Sequence, residues 1–178
     1  MEPSVNQRHV AAFLKAVYDD ERKALRRKPK PEEWIIAAMA IARIKSDAGV
    51  SGAAPSRLRR GERLSFDFSG HEIEVADEAL LYLRQVGDRG EQFAESDAVD
   101  RYILGQLANA WISDERPNET AIGRKIGLKH TSVRDRKIRR CARIAGKIRL
   151  AFPEGFEAGV AGSGRVFSSV ETLTTSMT

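Results

Sequence analysis

The sequence predicts a mainly α protein: a helical N-terminal region, one small β-hairpin and a helix-turn-helix DNA-binding domain towards the C-terminus. Three observations carry that expectation. Apolar residues recur at three- and four-residue spacing in several separate stretches. Alternation of apolar and polar residues is clear in one short stretch, from Leu64 to Val75. From Glu119 to Arg149, the spacing Ile122-Gly123…Ile126-Gly127-Leu128…Val133 leads into a helix-forming run dense in arginine.

Residues 1–48 read as helical. Val10, Phe13, Leu14 and Val17 lie on one face of a helix from about Asn6 to Leu25. A basic patch follows, Arg22, Lys23, Arg26, Arg27, Lys28 and Lys30, in which Pro29 and Pro31 break the helix. The patch suits a solvated linker and a second phosphate contact equally well. Pro31-Glu32-Glu33 has the form of a helix start, with acidic residues matched to the dipole. That helix would run to about Asp47 with Trp34, Ile35, Ala38, Ile41, Ala42 and Ile44 apolar, and Trp34 anchoring a core.

Residues 49–62 read as a linker, rich in Gly, Ala, Ser and Pro. Residues 63–90 read as a hairpin plus a helix. Leu64, Phe66 and Phe68 alternate with polar residues, Ser69-Gly70 would turn, and Ile73 and Val75 would alternate again. An isolated hairpin is marginal, so this one should pack on a helix or on a second subunit. The helix would span about Asp77 to Val86, with Leu80, Leu81, Leu83 and Val86 apolar.

The helix-turn-helix domain is placed at 91–152. Its supporting helix begins at Ser96 and carries Val99, Ile103, Leu104, Leu107 and Trp111. In the two-helix motif itself, Ile122, Ile126, Leu128 and Val133 would share a core. Gly123 would sit where the helices cross too closely for a side chain. Gly127 would end the first helix at positive φ. Asn118 is the expected N-cap of the first helix, and His130 or Thr131 of the second. Along the second helix, Val133, Cys141, Ile144 and Ile148 fall on one face and Ser132, Arg136, Arg139, Arg140 and Arg143 on the other.

Charge is concentrated here. From Arg116 to Arg149 twelve basic residues face two carboxylates, Glu119 and Asp135. The segment carries +10 in a chain whose total is +5, which leaves the remainder at −5. A merely solvated helix would interleave glutamates at i,i+4; this asymmetry is the footprint of a nucleic-acid-binding module.

The run Ile122-Gly123-Arg124-Lys125-Ile126-Gly127 followed by His130-Thr131-Ser132-Val133 resembles the DNA-binding domain (domain IV) of the replication initiator DnaA. That family's pattern is approximately I-G-x-x-F-G-x-R-D-H-T-T-V, in which the His and two Thr open the recognition helix and touch base edges. The resemblance implies that His130, Thr131 and Ser132 read bases. It covers about thirty residues. The turn is one residue shorter, Leu128-Lys129 replaces Arg-Asp, and Ser132 lacks the threonine methyl. The core spacing is also similar to region 4 of bacterial sigma factors. The chain has no Walker A phosphate loop, so it is not an initiator of the DnaA type. In layout it resembles the DNA-binding part of the transcription activators of gene transfer agent clusters. Those activators work at a promoter with RNA polymerase, in some cases with a companion regulator and a DNA-bending protein.

The expected function is a sequence-specific DNA-binding transcription regulator, an activator of a gene transfer agent or prophage-like cluster. Double-stranded DNA would be read by His130, Thr131, Ser132 and Asp135. Its backbone would be held by Arg124, Lys125, Lys129, Arg134, Arg136, Arg139, Arg140 and Arg143. A homodimer is a further expectation. Two other classes stay open: a phage-type DNA-packaging or assembly adaptor, and an RNA-binding antitermination factor.

Other chemistry is not indicated. His9, His71 and His130 have no zinc-ligand spacing, and no nucleophile motif is visible. No enzyme activity, metal or cofactor is expected. The single Cys141 suits a reducing compartment and a packing role. The sequence has neither a signal-peptide pattern nor an apolar run near the roughly 20 residues of a membrane span, so a cytoplasmic, nucleoid-associated protein is expected. The tail, 153–178, is Gly-, Ser- and Thr-rich and is expected to be flexible, with Phe167, Val170 and Leu173 able to dock on a partner. The region before Ser96 is expected to be an interaction module.

Overall fold

The computed structural model describes residues 5–51 and 68–153. The protein is mainly helical. Its described residues form α1 (Val5–Leu25), α2 (Pro31–Ser51), α3 (Gly70–Gln85), a 3₁₀ turn (Glu91–Phe93), α4 (Ala94–Ile112), α5 (Glu119–Ile126) and α6 (His130–Ala151), with no strand among them.

Helix α2 is the centre of the packing and touches α1, α3, α4 and α6. Its composition explains this. Trp34, Ile35, Ala37, Ala38, Met39, Ala40, Ala42 and Ile44 are all buried, so apolar groups point out on nearly every side. A helix that is apolar all round belongs inside a fold, and its alanines let neighbouring helices approach closely. The start of α2 is held locally. Pro31 takes the first helical position, and the Lys30 backbone N–H donates to Glu33 Oε2 at 2.7 Å. Arg27 donates to the same carboxylate at 2.6 and 2.9 Å, so part of the basic patch after α1 is tied to α2.

One apolar core runs from Val10 of α1 to Ile148 of α6 and includes Trp34, Leu83, Leu107, Trp111 and Cys141. Segments that read separately in the sequence therefore share a core. Trp34 anchors it, as its apolar surroundings suggested.

The second arm of the expected hairpin is helical. Ser69 is the N-cap of α3: its hydroxyl accepts from the Glu72 N–H at 3.2 Å, while Glu72 Oε2 accepts from the Ser69 N–H at 2.9 Å. This reciprocal capping box starts a helix at Gly70, where the alternation suggested a turn, and seven residues before Asp77. Ile73-Glu74-Val75 is too short to separate a period of two from one of 3.6. Read onwards, Ile73, Ala76, Ala79 or Leu80, and Leu83 keep the helical spacing, and Ala76, Ala79 and Leu83 are buried. Leu64 and Phe66 of the first arm lie outside the described residues. Phe68 is half-buried, with Lys45 Nζ 5.4 Å from its ring centre. Helix α2 continues to Ser51, beyond the expected linker start at 49; the remainder of that linker and the tail from 154 lie outside the described residues.

Candidate nucleic-acid interface

Helices α5 and α6 are joined by the three residues Gly127, Leu128 and Lys129. Asn118 caps α5, its Oδ1 accepting from the Ala121 N–H at 3.0 Å. Gly127 closes α5 in the left-handed conformation, φ +71°, where a Cβ is strained. The Leu128 N–H donates back to the Gly123 carbonyl at 2.8 Å. Gly123 is the point of closest approach: a Cβ there would lie 2.3 Å from the Leu128 carbonyl oxygen. Val133 and Ile122 close the small core between the helices.

The cap of α6 differs from expectation. Lys129 occupies the N-cap position with extended backbone and no side-chain hydrogen bond. His130 and Thr131 are the first two helical residues and both are exposed. Because only Leu128 and Lys129 separate Gly127 from His130, the extended residue before the helix falls on Lys129. The opening N–H groups of α6, at His130 and Thr131, thus have no side-chain cap from Lys129.

Glu119, at the start of α5, ties the two helices together. It accepts from Lys137 Nζ at 2.8 Å and from Arg134 Nε at 3.1 Å. Burial pushes its carboxyl up, but the Lys137 hydrogen bond and the charges of Lys137 and Arg134 outweigh this and hold it below the usual range.

The residues expected at DNA separate into four groups. Arg124, Lys125, Lys129, His130, Thr131, Asp135 and Arg139 are exposed, and Ser132 is half-buried. Arg134 is exposed but engaged with Glu119. Arg136 and Arg143 are partly covered and lean on α4: Arg136 Nη1 donates to Asp100 Oδ1 at 3.0 Å and to Ser96 Oγ at 3.3 Å, while Arg143 lies 3.8 Å from Asp97 and 3.9 Å from Asp100.

Arg140 belongs to the interior, and its expected place among the phosphate contacts is corrected. Its side chain is 0% exposed. Nη1 donates to Asp97 Oδ1 at 3.0 Å; Nη2 donates to Asp88 Oδ1 at 2.7 Å and to the Arg84 carbonyl at 3.0 Å. Gly87 makes room for it, since a Cβ there would stand 2.8 Å from Arg140 Nε and 2.7 Å from Ile144 Cγ1. The helical projection of α6 put Arg140 among the other arginines, but nothing in α6 itself shows that α4 covers this side. The one sequence signal was the pair Asp97 and Asp100, three apart on α4 and matched to arginines three and four apart on α6.

The arginine-rich face is therefore partly neutralised from within by Asp88, Asp97 and Asp100. Arg124, Lys125, Lys129 and Arg139 keep their charge without a carboxylate partner among the described residues.

Cys141 is buried on the apolar side of α6, where burial pushes its thiol up, well away from a reactive thiolate. His9 and His71 meet edge to face at 4.6 Å, bringing α1 and α3 together. No group of three or more potential metal ligands occurs among the described residues, and no described helix is long and apolar enough to cross a membrane.

No protein family, curated protein or solved structure matches the chain.

Proposed function

We propose that this protein is a sequence-specific DNA-binding transcription regulator that uses α5 and α6 as a helix-turn-helix. The observation that supports it best is the free end of α6. His130, Thr131 and Asp135 are exposed there, beside an uncapped helix start and the charges of Arg124, Lys125 and Lys129, which have no carboxylate partner among the described residues. Base-reading side chains surrounded by backbone-binding cations are what a major-groove reader requires. An open helix N-terminus favours a phosphate. The rigid turn set by Gly123 and Gly127 would hold that end in a fixed pose.

In this reading His130, Thr131, Ser132 and Asp135 face base edges. Arg124, Lys125, Lys129 and Arg139 hold the backbone, with Arg134, Arg136 and Arg143 assisting from their ion pairs. The likeness of the Ile122–Val133 run to DnaA supports the base-reading roles. The layout shared with gene transfer agent activators supports a promoter-bound activator that works with RNA polymerase, a companion regulator and a DNA-bending protein, in the nucleoid.

Genome-wide mapping of DNA bound in cells tests the reading. A few sharp peaks at promoters are expected. Diffuse occupancy would favour a packaging or assembly adaptor, and crosslinking to transcripts instead of DNA an antitermination factor.

A further inference from the structure

Between the start of α4 and the middle of α6 lies an open cleft of about 270 Å³. Arg89, Arg136, Arg139 and Arg143 line it, together with the hydroxyls of Ser96 and Ser132; its carboxylates are Asp100 and Asp135. Four guanidinium groups thus face two carboxylates, and the balance is less even than that count suggests. Asp100 is already bonded to Arg136 at 3.0 Å and lies 3.9 Å from Arg143. Asp97, beneath, is bonded to Arg140. Arg143 Nη1 is enclosed with no hydrogen-bond acceptor, its nearest carboxylate oxygen 3.8 Å away on Asp97. Arg139 has no ion pair among the described residues, and Arg89 is exposed with the face of Phe93 5.7 Å from its guanidinium.

The local field points the same way. Burial, then the charges of Arg89 and Arg140, hold the Arg143 guanidinium below its ordinary value in spite of Asp100 and Asp97. A site in which a partly covered cation feels more repulsion than attraction is one that an anion would relieve.

We propose that this cleft seats one phosphate group, gripped from the rim by Arg89 and Arg139 and from below by Arg136 and Arg143. Planar guanidinium forks match a tetrahedral oxyanion, and several of them converging favour phosphate over a single carboxylate. Ser96 Oγ already accepts from Arg136, which leaves its own hydrogen to donate to the anion. The cleft includes Ser132 and Asp135, on the same stretch of α6 as the exposed His130 and Thr131. A backbone phosphate of a duplex read by that stretch would arrive here. Assigning the phosphate to DNA rests on the proposed function; the seat itself does not. Arg89 and Ser96 lie outside the basic segment and enter the interface only through the fold.

The test uses the full chain with Arg89→Gln, Arg139→Gln and Arg89→Lys. Arg89 and Arg139 are exposed, so the variants should melt as the parent does. Binding to duplex DNA is followed by fluorescence anisotropy across a salt series. Each Gln variant should weaken specific and random duplexes alike and reduce the slope of log affinity against log salt by about 1, whereas Arg89→Lys should keep the slope. In parallel, inorganic phosphate is titrated while the arginine Nε–H signals are followed by NMR; those of Arg136 and Arg143 should shift. If the parent binds duplex DNA with an unchanged slope in both Gln variants, the seat is wrong and the DNA reading survives. Should the parent fail to bind duplex while inorganic phosphate shifts Arg136 and Arg143, the seat stands as a site for a free phosphorylated ligand and the DNA reading falls. Response to neither probe overturns the seat as well.

Discussion

Arg140 of α6 donates to Asp97 of α4 at 3.0 Å, and neither side chain is more than 3% exposed. The pair, completed by Asp88, locks the arginine-rich helix to the rest of the fold. It also removes one cation from the surface that would meet a nucleic acid. A buried ion pair is weak evidence for stability by itself, yet breaking one from a single side is costly, because the partner is left charged and dry.

Arg140→Met should therefore destabilise the protein by about 3–5 kcal/mol, since the buried Asp97 carboxylate loses its bonded guanidinium and keeps only the Arg89 N–H and the more distant Arg143. Urea denaturation measures this. A loss below about 1 kcal/mol would mean that water reaches the pair and that Arg140 is not an interior residue.

The two glycines of the α5–α6 connection should respond differently to alanine. Gly127→Ala costs about 1–2 kcal/mol, the strain of a Cβ in the left-handed region with open space around it. Gly123→Ala should cost more, since its Cβ meets the backbone oxygen of Leu128 and no side chain can rotate away. Equal losses in denaturation would show that the helices do not cross at Gly123.

His130→Ala and Thr131→Ala should each cost roughly 1–3 kcal/mol on a specific duplex and little on random DNA. Lys129→Ala should weaken both alike. Competition binding with the two duplexes separates the outcomes, and equal losses for all three variants would remove His130 and Thr131 from base reading.

Salt dependence should be moderate for so basic a segment. With Arg140 buried and three further arginines engaged with carboxylates, Arg124, Lys125, Lys129, Arg139 and, through the cleft, Arg89 remain as full phosphate partners. Five contacts imply a slope near −4.5 and a loss of about five-hundredfold between roughly 50 and 200 mM salt. A slope near −9 would mean that the Asp88–Asp97–Asp100 network opens on binding.

Glu119 should make stability fall in acid. Its carboxyl lies below the ordinary range when folded. The stabilisation it supplies is complete above the unfolded value, about 4.3, and is lost as pH falls through the lower folded value. Glu119→Gln should be less stable than the parent near neutral pH, with the gap closing as pH falls through the lowered folded value. Urea melts across that range give the gap directly, and one that stayed constant would dissociate Glu119 from Lys137 and Arg134.

What the sequence determined by itself was local. The span of α1, the start of α2 at Pro31, the cap at Asn118, the left-handed Gly127 and the tight approach at Gly123 follow from side chains acting within a few residues of their own backbone. The start of α3 was equally local: Ser69 and Glu72 are a capping box three residues apart, masked by an alternation three residues long. Which charges are free depends on packing between helices distant in the chain. A helical projection shows which side chains share a face but not what covers that face. Asp97 and Asp88, which bury Arg140, stand 43 and 52 residues away in the chain. The cleft that gathers Arg89 and Ser96 beside Arg139 exists only because α4 lies against α6, and that placement is set by the shared core around α2.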